Sequence, residues 1–177
     1  MFDVTFSDGL ALEVQVNPKF STKELAEIEA DKYAKVIGRL PKAIRNYAKT
    51  VWIHKGNEAF GGGNNNFLIH TEQGLDYEAN GILEETLVHE GSHISLDADH
   101  AEASGWLAAQ EADGTFISTY ARDNPKREDV AESFLMYLAV TYRSDRISED
   151  LKSTINKTIP NRIKYFEDLN LNVSPID

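Results

Sequence analysis

The sequence contains no cysteine. That excludes disulfides, iron–sulfur clusters and thiolate metal sites, and it leaves the redox compartment open. No apolar run approaches the roughly 18 residues that a membrane-spanning helix needs, so a soluble chain without membrane insertion is expected. The opening Met1-Phe2-Asp3-Val4 lacks the basic-then-apolar pattern of a signal peptide. Basic residues are missing from one long stretch. After Lys55 no Lys or Arg occurs until Arg122, while Glu58, Glu72, Asp76, Glu78, Glu84, Glu85, Glu90, Asp97, Asp99, Glu102, Glu111 and Asp113 all fall between them. The formal net charge of −11 is therefore concentrated in the middle of the chain. Such a balance argues against a nucleic-acid partner, which needs clustered Lys and Arg to meet phosphates. A solvated acidic face is the plain reading of the run.

What is present is an ordinary globular composition. The chain has 177 residues, of which 41% are hydrophobic and 27% charged. That is enough for one domain with its own core, and no repeat, low-complexity tract or linker divides it. Phe2–Phe6 and Leu10–Val16 alternate around the turn Ser7-Asp8-Gly9, which predicts a hairpin. A helix is expected from Ser21, with Glu24 completing a capping box and Ala26, Ala30, Tyr33, Ile37 and Leu40 forming an apolar stripe. Gly38 and Pro41 suggest a break, with another turn or two of helix in Lys42–Lys49. Val51–His54 and Phe67–Thr71 read as strands, joined through a loop containing Gly61–Asn66. From Gly81 the periodicity turns helical: Ile82 to about Leu96, Ala101 to Ala112, Asn124 to about Arg143 with Asn124 as N-cap and Pro125 at the first position, and one or two helices after Ser148 broken near Pro160. Strands early and helices late predict an α+β domain over 1–177, strand-rich through residue 80 and helical from 81.

One constellation carries chemistry. Leu87-Val88-His89-Glu90-Gly91-Ser92-His93-Ile94 holds His-Glu-x-x-His within a helical, largely apolar run. Four residues is just over one helical turn, so His89 and His93 share a face and can bind the same Zn²⁺. Glu90 sits about 100° around the helix, off the ligand pair but within reach of a water on the metal. Two surface histidines on a helix are the plainer alternative.

A catalytic zinc takes a third protein ligand, and several residues can supply it. Asp99 has the offset of the third ligand in His-Glu-x-x-His-x-x-Gly-x-x-His/Asp, but Leu96 stands where the turning Gly belongs and no Met-turn is evident. His100 lies one residue too far. Glu128 and Glu132, four apart on one helical face, can give one carboxylate to the metal and another to orient a ligating His.

Ser118-Thr119-Tyr120-Ala121-Arg122-Asp123-Asn124-Pro125, followed by Glu128-Asp129-Val130-Ala131-Glu132-Ser133-Phe134, resembles the second half of the lethal-factor-like zinc metallopeptidases. That family includes the catalytic domain of anthrax lethal factor and the Pro-Pro endopeptidases. Its pattern is His-Glu-x-x-His, then a Tyr about seven residues before Glu-x-x-Ala-Glu; here Tyr120 precedes Glu128 by one residue more. The resemblance covers roughly Phe67 to Leu138. It implies a zincin-like fold and a zinc endopeptidase with one Zn²⁺ per chain and a peptide or protein substrate. It implies His89, His93 and Glu128 as ligands, Glu90 as general base, Tyr120 as the phenol steadying the oxyanion, and Glu132 as the carboxylate behind a ligating His. Asp129 would replace Glu128 if the helix register were shifted.

The family also implies that Phe67–Thr71 is an edge strand beside the metal helix that holds an extended peptide. The preceding Gly61–Asn66 loop would then be either a flap over the cleft or an inert turn. His54 and His70, in strands, are expected to be structural, and Trp106 to be core. Peptide deformylases share His-Glu-x-x-His but need a Cys ligand, so they are excluded. A metal-dependent amidohydrolase acting on a non-peptide, or a binding module that kept the fold and lost activity, are the competing functions. If the acidic run surrounds the cleft, its field would favour basic or neutral peptides over acidic ones.

Overall fold

In the computed structural model, which describes residues 1–176, all the strands precede residue 71. β1 (Phe2–Thr5) and β2 (Ala11–Val16) form the expected antiparallel hairpin. A helical crossover then returns the chain to the same sheet: α1 (Lys23–Gly38) and the short α2 (Lys42–Arg45) lead to β3 (Thr50–His54), which pairs parallel to β2. β4 (Gly61–Gly63) and β5 (Asn66–His70) complete a sheet of order β1-β2-β3-β5-β4. The remainder is helical: α3 (Thr71–Ala79), α4 (Leu83–Ser95), α5 (Asp97–His100), α6 (Ser104–Asp113), α7 (Thr119–Asp123), α8 (Asp129–Thr141), α9 (Glu149–Thr158) and α10 (Pro160–Asp168). The chain is thus α+β, with a small mixed sheet and a mostly helical second half. No helix among the described residues is long and apolar enough to cross a membrane.

The period of two along the strands decides which face is core. Val14, Val51 and Phe67 lie in one row of paired residues, and Ile53 and Ile69 pair in another. All five are fully buried. A fully buried aromatic or branched side chain contributes about 1.5–3 kcal/mol, so these rows commit one face of the sheet to the helices. On the opposite face Trp52 remains 44% exposed. The helical half closes its own core around Trp106, Phe134, Tyr137 and Phe166, with Phe134 and Phe166 edge to face at 5.3 Å. Trp106 is fully buried there, as expected.

Four expectations change. First, Phe67–Thr71 is not an edge strand. β5 lies between β3 and β4, and its last expected residue, Thr71, starts α3 instead. The edge is the glycine run that reads as a loop. Asn64 and Asn65 both take positive φ (48° and 61°), the signature of a two-residue type I′ hairpin, and this turn folds Gly61–Gly63 back along β5.

Second, α8 begins at Asp129 rather than at Asn124. The Asn124 side chain is used on the preceding helix, where its Nδ2 donates to the Tyr120 carbonyl. Its own carbonyl accepts the N–H groups of Arg127 and Glu128, making a separate turn. Third, the cap of α1 is Thr22, whose hydroxyl accepts from Leu25 N–H at 3.2 Å, while Ser21 sits at φ 67° just before it. Fourth, α3 occupies a stretch that carries no strong periodicity of its own.

Candidate metal centre

α4 runs directly beneath the edge strand. A Cβ built on Gly62 would lie 2.0 Å from the Glu90 carbonyl oxygen, so only glycine lets β4 approach the helix backbone this closely. Leu87 and Val88, with Gly91 and Ile94 one turn on, anchor the inner side of α4. Glu84 and Glu85 sit in its first turn, where the helix dipole favours acids. His89 and His93 are thereby held half-buried at the mouth of a cleft between β4 and the turn that precedes α8.

The two imidazoles stand edge to face with ring centroids 4.7 Å apart, and their Nε2 atoms are 3.1 Å apart. Glu128, contributed by the cap of α8, closes a triangle: its Oε2 lies 3.3 Å from His89 Nε2 and 3.2 Å from His93 Nε2. Two imidazole nitrogens and a buried carboxylate oxygen converging on one point can hold a metal ion.

Each histidine is backed by a carboxylate on its other nitrogen. His93 Nδ1 lies 2.7 Å from Asp97 Oδ2, and His89 Nδ1 lies 3.4 Å from Glu132 Oε1. A proton on each Nδ1 leaves both Nε2 lone pairs free to face the shared point. Burial pulls the His93 imidazole down, but the hydrogen bond to Asp97 and the charges of Asp97, Glu128 and Glu90 together hold it above its ordinary value. Asp97 escapes the sequence reading. Its only signal is the four-residue spacing from His93, the spacing at which side chains on helical backbone meet.

Glu90 lines the same cleft without joining the triangle. Burial pushes its carboxyl above the usual carboxylate range and Glu128 adds to this, while the two imidazoles and the Gly62 N–H pull the other way. Tyr120 lies on the opposite wall, 52% exposed. The neighbouring Glu128 carboxylate holds the phenol above its ordinary value. The cleft encloses about 370 Å³ between Phe60, Gly61–Gly63 and the Tyr120–Glu128 side. Arg127 is its one cationic lining residue. It makes no ion pair among the described residues, and sequence reasoning assigns it no role.

The other ligand candidates are engaged elsewhere. Asp99 accepts from the Tyr47 hydroxyl at 2.9 Å. His100 Nδ1 meets the Tyr165 hydroxyl at 2.8 Å. Asp129 points away from the triangle into the core, where it is fully buried against Arg162 Nε and Gln110 Nε2, both at 2.9 Å. His54 and His70 occupy paired positions on β3 and β5. His54 Nδ1 meets the Asn17 amide at 3.1 Å and His70 Nδ1 the Ala59 carbonyl at 3.2 Å. Comparison of the chain with family models, with curated proteins and with solved structures finds no match.

Proposed function

We propose that the chain is a zinc-dependent endopeptidase of the lethal-factor-like, zincin-fold kind. The observation that carries this reading is the His89–His93–Glu128 triangle with Glu90 beside it. A zinc ion bound tetrahedrally at about 2.0 Å from each donor needs donors about 3.3 Å apart. The three separations of 3.1, 3.2 and 3.3 Å match that requirement. Two imidazoles and one carboxylate also suit zinc chemically and leave a position for water.

A zinc ion held there supplies the Lewis acidity that makes a water nucleophilic at neutral pH and polarises a peptide carbonyl. Glu90 takes the proton from the attacking water and passes it to the leaving amine, a transfer for which a carboxyl raised by burial is suited. The Tyr120 hydroxyl donates to the oxygen on which negative charge develops. Asp97 and Glu132 hold the two imidazoles in the ligating tautomer. The outer edge of β4 presents backbone groups to an extended peptide, a role that belongs to Gly61–Gly63 rather than to β5.

The test is metal content followed by proteolysis of a diverse peptide library, read by mass spectrometry with and without chelator. One zinc per chain and internal cleavages that stop on chelation and return with zinc are expected. A chain that refuses zinc, or a zinc-loaded chain that leaves the library intact, overturns the proposal.

A further inference from the structure

Tyr120, Arg127 and Glu128 all belong to the segment 114–128, which has little regular structure of its own beyond the five residues of α7. Both ends of this segment meet at one side chain. Arg162, on α10, is fully buried. Its Nη1 donates to Asp113 Oδ2 at 3.1 Å and to the Thr115 carbonyl at 2.9 Å, at the start of the segment. Its Nε lies 2.9 Å from Asp129 Oδ2, immediately after the end. The Phe116 ring covers the guanidinium at 4.9 Å. Arg162 is itself fixed by Asp113, which accepts the backbone N–H groups of Asn161 and Arg162 and so caps α10 in place of Ile159, whose side chain cannot.

We infer that Arg162 is a positioning residue for the metal centre: by joining both ends of the 114–128 segment it sets where Glu128 and Tyr120 stand relative to the two histidines. This rests on the metal site proposed above. A planar guanidinium suits the task because its Nη1 donates to two acceptors at the start of the segment while its charge pairs with Asp129 just past the end, so both ends are tied to one rigid group. The carboxylate it holds is the residue next to Glu128, so a shift of Asp129 is passed along one peptide unit to the ligand. A lysine would satisfy one carboxylate as a point charge and release the others.

The test reads metal rather than turnover. Co²⁺ binding to the full chain is followed by titration and by the visible absorption band that reports coordination geometry. Wild type is measured first; a wild-type chain that binds no Co²⁺ or Zn²⁺ overturns the metal-site reading and this inference with it. Arg162→Lys is expected to bind Co²⁺ at least ten-fold more weakly with an altered band. Val14→Ala, a cavity in the distant sheet, is expected to lower the melting temperature yet keep wild-type affinity and band. A folded Arg162→Lys with wild-type affinity and band overturns the inference, as does an equal loss in Val14→Ala. If Arg162→Lys does not fold, Gln110→Ala carries the test. It removes one hydrogen bond from Asp129 and is expected to weaken Co²⁺ binding several-fold, and unchanged affinity overturns the inference.

Discussion

Asp97 Oδ2 lies 2.7 Å from His93 Nδ1, on the side of the ring opposite Glu128. The contact selects the tautomer that leaves His93 Nε2 free, and it makes that nitrogen a better donor to a metal. Loss of such a supporting carboxylate lowers metal affinity about 10–100-fold. Asp97→Asn is therefore expected to bind zinc within that range more weakly while melting near the wild-type temperature, as read by chelator competition and thermal denaturation. Unchanged zinc affinity would show that the contact does not tune the ligand.

Glu90 and Tyr120 are expected to separate binding from chemistry. Neither belongs to the ligand triangle, so Glu90→Gln and Tyr120→Phe should keep wild-type zinc content. Glu90→Gln should lose nearly all hydrolysis. Tyr120→Phe removes one donor to the developing oxyanion, which costs about 10²–10³ in kcat in comparable sites, with little change in KM. Steady-state kinetics on one library-derived peptide checks both, and a fully active Glu90→Gln would mean that the proton goes elsewhere.

Gly62 is expected to be irreplaceable for a backbone reason. A Cβ there would sit 2.0 Å from the Glu90 carbonyl oxygen, and no rotamer change relieves a clash with backbone. Gly62→Ala must push β4 off α4, lowering the melting temperature and moving Glu90 together with the β4 edge. Gly61→Ala is the matched control, because its Cβ would meet Leu68 Cβ at an ordinary 3.6 Å. Equal melting temperatures and equal activity in the two variants would contradict the close approach seen here.

Much of the site was readable in the sequence because it depends on local spacing. His89, Glu90 and His93 are placed by one helix whose period is known, and Glu132 by another that Glu128 caps; the structure brings His89, Glu90, His93 and Glu128 into one cleft and sets Glu132 behind His89. What was not readable depends on partners distant in the chain. β5 became interior only because Asn64 and Asn65 adopt positive φ and fold the glycines into a further strand. Asp129 differs from Glu128 in role because Arg162, 33 residues later, takes its carboxylate. The acidic run suffers the same fate. Glu78 pairs with Lys32 at 2.7 Å, Glu84 with Arg39 at 2.6 Å and Asp113 with Arg162 at 3.1 Å, all bases from outside the run. A stretch without bases in sequence is therefore not one without bases in space.

That pairing sharpens the expected charge preference and locates it. Around the cleft, Glu128 is committed to the imidazoles and Asp97 to His93, while Arg127 lines the wall without an ion-pair partner among the described residues. On the proposed peptidase reading, the acidic residues left unpaired are expected to favour cationic peptides, with Arg127 opposing them at short range. Arg127→Gln leaves the ligand triangle in place and is expected to raise the ratio of kcat/KM for a Lys-containing peptide to that for its Glu-substituted counterpart several-fold at low ionic strength. The shift should shrink as salt is raised toward 1 M, where the screening length falls to about 3 Å. A ratio unaffected by the substitution at low salt would mean that Arg127 points away from bound substrate.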